Sequence, residues 1–514
     1  MTELVLANAH ILTMDPAHPT MRSALVKDGK IAAISPDSDF IRSRKSASTF
    51  IDCRGRTVLP GFVDAHCHLV AYADSLVTLD LSPTHARSIS DMQRMIIDAA
   101  RTLGPTAWIR GRGYDEFSLA EHRHPNRWDL DVVSPRNPVR LTHRSGHAQV
   151  LNTAALQQVG IGSETGDPTD GLIERDVLTG DPTGLLFGEH PCLRHIDRQG
   201  RSRELARGIA LANSMLLAQG ITSVHDTSPH NDEERLQLLQ SWRQDGLLLP
   251  RVHMALGWDE FLRDRPISGD AMGSHGSVTV AGVKIVIHET TGRLSPDQSD
   301  LNGMLSRVHR SGRQAIIHAV EQTTIESGCT AIERAMALLP GRDARHRIEH
   351  CSICPPALAK RLAAAGVMVV TQPAFLYFSG DRYLETVNSE DQRSLYPLAT
   401  LLRAGVTLAG SSDFPVTPPA PMLGIGSAVN RQTRSNRYFA PEQGTSPFEA
   451  LTLFTRNAAA AMFAETSIGT IRPGLFGDFV ILSADPTKVP VRAIKDIQVA
   501  MTIIDGQVVW EASS

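Results

Sequence analysis

The chain has little of what would mark an exported, membrane-bound or nucleic-acid-binding protein. Its six cysteines are scattered among 514 residues, too sparse for the disulfide frameworks of small secreted domains. Aromatic residues make up 5%, so base-stacking surfaces are not advertised. Neither sign of charge dominates: 51 basic residues meet 55 acidic ones, a formal charge of −4. That balance makes no electrostatic case for nucleic acid or an anionic membrane. No run approaches the roughly 18 apolar residues of a membrane-spanning helix. The opening MTELVLANAHILTMDP lacks the basic and then apolar pattern of an export leader. A cytoplasmic location is expected, with a small-molecule substrate and neither nucleic acid nor membrane as partner.

Two further absences narrow the reading. HCSIC spaces Cys351 and Cys354 as C-x-x-C, yet no second such pair completes a four-thiolate site, so these read as small, semi-buried residues beside a strand end. No G-x-G-x-x-G follows the first apolar strand, which argues against a doubly wound dinucleotide fold.

What is present is a series of short apolar stretches. TVLPGFVDAHCHL (Thr57–Leu69) reads as the first buried strand. Seven more follow at Gly220–Asp226, Leu248–Leu256, Val278–Ile287, Gln314–Val320, Arg347–Cys351, Val367–Pro373 and Val406–Asp413. Amphipathic helical patterns such as DEERLQLLQSWRQD and PALAKRLAAAG separate most of them. Continuous apolar strands alternating with helices mean parallel βα units, and eight of them predict an α/β protein with a (β/α)₈ barrel over residues 57–70 and 200–467. Residues 1–56 and 468–514 instead carry short β patterns with D-G turns, in KDGKIAAI and IIDGQVVW; they are expected to pair into one discontinuous β-sandwich. Residues 71–199 far exceed a βα connection. They are read as an inserted subdomain, a lid over the strand ends where barrel active sites lie.

The chemistry gathers at those ends. His66 and His68 sit two apart on a strand, so they share a face, about 7 Å apart along the chain. Imidazole pairs of this kind suit zinc and similar divalent metals. Lys284 lies in the fourth strand, His318 in the fifth, His350 in the sixth, and Asp413 ends the eighth. A lysine inside VTVAGVKIVI must have a reason for burial. In a barrel the strand ends ring one opening, so residues distant in sequence meet there. His225 and Asp226 end the second strand and read equally as orienting or capping groups. His143, His147 and Asn152 fall in the insertion.

The order H-x-H, Lys, His, His, Asp resembles the amidohydrolase superfamily. GFVDAHCHL, GVKI, RIEH, AGVTLAGSSDFPVTP and the late run SPFEALTLFTRNAAAAMFAETSIGTIRPGLFGDFVILSADP are similar to the branch containing N-substituted formamide deformylases, amidohydrolase family 3. The resemblance implies one or two divalent ions per subunit, zinc foremost, with manganese, iron and cobalt open. His66, His68 and Asp413 would hold the more buried ion and His318 and His350 the other. Lys284 would bridge them as a carboxylated (carbamate) side chain. It implies hydrolysis of a carbon–nitrogen bond by an ion-activated water, with Asp413 as the catalytic proton carrier. Deaminase, esterase or decarboxylase chemistry on the same metals is the alternative, as is a binding protein with a decayed site. By the same resemblance His147 is a substrate contact. His288 and Glu289 stand where relatives often have an acidic residue and glycine, and are taken to border the substrate. A homo-oligomer, a dimer, is expected.

Overall fold

The computed structural model describes residues 3–37, 49–168, 171–188, 190, 192–193, 202–263, 267, 277–290 and 293–513. Two compact units divide the chain: Met1–His68 with Asn213–Ser514, and Leu69–Ala212.

Eight parallel strands form the barrel of the first unit, hydrogen-bonded in sequence order. They are β1 (Phe62–Cys67), β2 (Ile221–Asp226), β3 (Arg251–Gly257), β4 (Val278–Val286), β5 (Ala315–Ala319), β6 (Arg347–His350), β7 (Met368–Thr371) and β8 (Leu408–Gly410). Nearly every residue in them is buried, as expected of strands covered on both faces. Helices such as Glu233–Gln244, Gln298–Ser311, Gln322–Leu338 and Pro356–Ala364 lie between successive strands and match the amphipathic patterns of the sequence. The ring closes where β1 meets the segment after β8: the Asp413 amide donates to the His66 carbonyl (3.0 Å) and the His68 amide to the Phe414 carbonyl (2.9 Å).

The stretch Thr57–Leu69 is not one strand. Thr57–Pro60 belongs to a separate six-stranded sheet, antiparallel to Phe479–Leu482 and parallel to His10–Leu12. Gly61 marks the crossing from that sheet into β1. A Cβ there would lie 2.1 Å from the Thr222 hydroxyl, so the chain passes only without a side chain. The second terminal sheet has four strands, Glu3–Ala7, Ser23–Lys27, Lys30–Ser35 and Thr49–Asp52. Both sheets contribute to one core that includes Leu6, Ile11, Val26, Val58, Phe479 and Ile503. The two D-G pairs turn hairpins as the sequence predicts: Asp28 and Gly29 (φ 46° and 80°) and Asp505 and Gly506 (φ 53° and 71°) are all left-handed, the conformation of a type I′ turn.

Arg251, at the start of β3, ties this β region to the barrel. Its guanidinium meets Asp478 at 2.7 and 3.0 Å and also reaches Asp505.

The second unit holds its own six-stranded sheet, ordered Gly171–Arg175, Pro182–Gly188, Ala148–Leu151, Val139–His143, Ile109–Tyr114 and Leu79–Asp80. Helix Ile89–Leu103, capped by Ser88, packs Met92 and Ile96 against Ile109, Val139 and Leu141. Asn152 is structural: it caps helix Thr153–Val159 and also donates to the Ser134 and Asn137 carbonyls. Cys351 and Cys354 are free and buried. Among the described residues, no helix is long and apolar enough to cross a membrane.

A buried chain of hydrogen bonds beneath β5 and β6 makes the fold sensitive to acid. The Ala315 amide donates to His346 Nδ1 (2.9 Å), so neutral His346 carries its proton on Nε2 and donates to His309 Nδ1 (3.0 Å). His309 Nε2 then donates to the Leu339 carbonyl (3.1 Å). A second proton on His346 would point Nδ1–H at an amide N–H. Burial, with the neighbouring His309 and Arg342, pushes His346 down to about 4. A depressed histidine stabilises the fold above its ordinary value near 6.5 and loses that contribution as pH falls toward 4, about 3 kcal/mol in all. The stability lost between pH 6.5 and 4 in urea titrations should therefore shrink by about that amount in His346→Gln. An unchanged pH slope would remove His346 from the acid response.

Candidate metal centre

The ends of four barrel strands (β1, β4, β5 and β6) and the segment after β8 bring their ionisable side chains together. His66 Nε2 lies 3.5 Å from Asp413 Oδ1, and His68 Nε2 lies 3.1 Å from the same oxygen. One donor atom from each of these three residues falls within 4.8 Å of the others. His350 joins them, its ring 5.0 Å from that of His66 and its Nδ1 4.0 Å from Asp413 Oδ2. The ring of His318 is 4.4 Å from that of His350. Lys284 is 2% exposed on β4, and its Nζ makes no hydrogen bond.

Each of three imidazoles is held from behind through Nδ1. His66 Nδ1 meets the Glu349 carboxylate, His68 Nδ1 meets the Ser228 hydroxyl at 3.0 Å, and His350 Nδ1 meets the Gln372 side-chain oxygen at 2.8 Å. Outer partners of this kind fix tautomer and ring orientation in metal sites. With Nδ1 occupied, Nε2 is the nitrogen left to ligate. Burial, then the charge of Lys284, holds His66 well below the usual histidine range, and burial takes His350 down to about 4. Both are neutral at physiological pH, as a ligating imidazole must be. Burial alone would raise Asp413, but the hydrogen bond and charge of His68, with His350 and Lys284, outweigh it and keep its carboxyl below the ordinary range. Imidazoles grouped with one carboxylate suit a divalent ion of the zinc type. The residues present fit such an ion.

Sequence reasoning missed the groups behind the ligands. Glu349 is fully buried on β6 and paired with Arg347, whose Nε lies 2.7 Å from Oε1. Arg347 also donates to the Ala65 and Ala461 carbonyls. Asp64, two residues before His66, accepts from the Ser412 amide at 3.2 Å and its hydroxyl at 2.5 Å, and burial pushes its carboxyl up to about 7. Asp226 takes part at one remove. Its carboxylate accepts from the Ser228 amide and from Asn231, fixing the loop that holds His68. His225 donates to the Ala281 carbonyl at 3.3 Å. Regular alternation along β6 was the available signal for Arg347 and Glu349, since both point to the same side two residues apart.

The three expected substrate contacts fall in different places. The ring of His288 lies 6.1 Å from that of His318. Glu289 is exposed on the following hairpin, where its carboxylate accepts from the Thr323 hydroxyl. His147 is exposed in the second unit, at the turn before strand Ala148–Leu151. In that unit His143 pairs with Glu116 (2.7 Å), holding the Glu116 carboxyl down to about 2, while Asp115 pairs with Arg144 (3.0 Å). One donor atom from each of Asp115, Glu116 and His143 lies within 4.8 Å of the others.

Glu349→Gln keeps the shape behind His66 and removes the charge that polarises it. Loss of such an outer partner costs roughly 10–100-fold in metal affinity. Competition with a chelator should show a drop of that size, with the far-ultraviolet spectrum intact. Unchanged affinity would show that His66 is oriented without Glu349.

Comparison with known proteins agrees with this geometry. A model described as the amidohydrolase family matches residues 49–510. N-substituted formamide deformylase of Arthrobacter pascens is 27% identical over 540 aligned residues, 99% of each chain. Protein LONG AFTER FAR-RED 3 of Arabidopsis thaliana is 26% identical, covering 94% of this chain and 88% of that one. An uncharacterized metal-dependent hydrolase from Pyrococcus horikoshii OT3 shares the fold, with a TM-score of 0.75 at 23% identity over 95% of this chain and 99% of that one. The family match begins in the terminal sheets, runs through all eight barrel strands and ends in the last strand of the chain, so it spans the architecture as well as the ligands: this chain belongs to the amidohydrolase family of metal-dependent hydrolases.

Proposed function

We propose that the chain hydrolyses a carbon–nitrogen bond of a small molecule, an amide, formamide or cyclic amide. The observation that carries this reading is the gathering of four imidazoles and Asp413 at one end of the barrel, around a buried lysine amine. Likeness to an N-substituted formamide deformylase along the whole chain supports the bond class.

In this reading His66, His68 and Asp413 hold one divalent ion, zinc by donor type, and His318 and His350 hold a second. Such ions act as Lewis acids toward a carbonyl and bring the ionisation of water close to neutral pH. The chain's own residues then have three tasks. Lys284 is the bridging candidate. Burial brings its ammonium down to about 8 even though Glu349 and Asp413 pull the other way, so an appreciable fraction carries a nitrogen lone pair near neutral pH. That lone pair adds to carbon dioxide, the amine loses a proton, and a carbamate anion results with two oxygens to ligate. Asp413, ionised at physiological pH, accepts the proton of the attacking water and passes it to the departing nitrogen. His288, beside His318, borders the substrate, with His147 and Glu289 as further contacts to be tested kinetically.

Asp413→Asn keeps the shape and one ligating oxygen but removes the base. General-base assistance is worth about 10²–10⁴-fold. The variant should keep its fold and the ion at His318 and His350 while kcat on a cognate amide falls by that factor. Chelation should abolish activity of the unmodified enzyme across a panel of formamides and amides, and added zinc should restore it. Turnover of esters alone in that panel would overturn the assignment to carbon–nitrogen bonds.

A further inference from the structure

His350 needs more holding than its strand supplies. It is the last residue of β6 and has left-handed backbone (φ 69°), as does Cys351 after it (φ 49°). Its side chain therefore leaves the regular alternation of the strand, and the sheet alone does not fix where its ring points. A hydrogen bond at Nδ1 fixes one edge of an imidazole and still lets the ring tilt about that bond.

The turn after β7 grips this imidazole twice. Gln372, Pro373, Ala374 and Phe375 form it, closed by the Phe375 amide donating to the Gln372 carbonyl (3.0 Å). Gln372 takes the edge. Its side-chain oxygen accepts from His350 Nδ1 at 2.8 Å, while its amide nitrogen donates to the Ser411 hydroxyl at 2.9 Å. Ser411 in turn donates to the Thr371 carbonyl at 3.4 Å, so its oxygen is the acceptor for Gln372 and the amide keeps one orientation. Phe375 takes the face. Its ring lies 21° from the plane of the His350 ring, with centres 6.5 Å apart, inside the offset-stacked range of about 4.5–7 Å.

Phe375 is braced from its other side. Tyr396 meets it edge to face, at 79° with 6.1 Å between ring centres, and Phe375 packs on a cluster of Leu376, Leu395, Tyr396 and Phe439. Tyr396 is anchored in turn. Its amide donates to the Ser352 carbonyl at 2.7 Å, and its carbonyl accepts from the buried Arg431 at 2.8 Å. A line of contacts thus runs from Arg431 through Tyr396 and Phe375 to the ring of a candidate ligand.

We propose that Phe375 is a positioning residue for His350, holding the plane of its ring so that Nε2, the nitrogen Gln372 leaves to ligate, faces the centre shared with His66, His318 and Asp413. The inference rests on the reading of His350 as a metal ligand and adds a residue that acts through it.

Cobalt(II) added to the metal-depleted full chain tests this, with affinity read by chelator competition and ligand geometry by the visible absorption of the bound ion. His350→Ala identifies the binding step that depends on this ligand. Phe375→Ala should weaken that step about tenfold, the lower end of what loss of support behind a metal ligand costs, and should alter the visible bands. Phe375→Leu keeps apolar bulk without a ring plane and should do the same; it carries the test if the alanine variant does not fold. Phe375→Tyr keeps the ring and should restore both readings. Phe448→Ala removes a ring 41% exposed on helix Pro447–Leu453 and should change neither. Wild-type affinity and bands in Phe375→Leu would overturn the proposal, because filling the space would then suffice. Wild-type cobalt binding in His350→Ala would overturn it too, and would place the fault in the ligand assignment rather than in Phe375.

Discussion

The hydrogen bond from the Asp413 amide to the His66 carbonyl, 3.0 Å long, joins the two ends of an eight-stranded sheet and places two candidate metal ligands side by side. A parallel sheet left open here would expose unpaired backbone groups on both edges and would leave His66 and Asp413 apart. Closure is reinforced from the side chains. Asp64, buried next to the seam, accepts from both the amide and the hydroxyl of Ser412. The local geometry is demanding: Asp413, His350 and Cys351 all have positive φ, at 57°, 69° and 49°. Such backbone costs on the order of 1–3 kcal/mol per residue and persists where surrounding structure over-determines it. Here the seam bonds, the Gln372–His350 contact and the Cys351 amide bonded to the Ala319 carbonyl do so.

Electrostatics in the barrel interior follow from the same closure. Arg347 and Glu349 are both fully buried, and an unpaired charge there would be prohibitive. Each is engaged several times over, Arg347 by two carbonyls and Glu349, Glu349 by Arg347 and His66. The pair thus conveys a negative charge to the back of His66 while that imidazole stays neutral. Burial raises the Glu349 carboxyl, and Arg347 and Lys284 draw it down. An interior built of paired and hydrogen-bonded charges leaves the ligand nitrogens facing one another.

Much of this was legible in the sequence, for a physical reason. Strands covered on both faces read as apolar runs, so seven of the eight barrel strands fall within three residues of their expected bounds, and the two D-G hairpins declared their own turns. The convergence of His66, His68, His318, His350 and Asp413 was foreseeable because strand ends meet in a barrel, and the structure places these side chains side by side. The split at Gly61 was hidden, since Thr57–Pro60 and Phe62–Cys67 are equally apolar and the need for glycine comes from Thr222, far along the chain. Ser228, Gln372 and Ser412 were hidden likewise. Each meets its partner only once the ring closes, and nothing local distinguishes a serine or glutamine that will do so. Glu349 and His350 are adjacent, so regular alternation would put them on opposite faces; the left-handed backbone at His350 brings both to the centre.

The central claim is that His66, His68 and Asp413 form a metal-binding set prepared by barrel closure. It is tested most directly by crystallography of zinc-loaded protein, with anomalous scattering recorded on both sides of the zinc absorption edge. The account predicts an anomalous peak about 2.0–2.2 Å from His66 Nε2, His68 Nε2 and an Asp413 oxygen, with the Nδ1 contacts to Glu349 and Ser228 unchanged. A peak elsewhere, or none at full zinc loading, would contradict it.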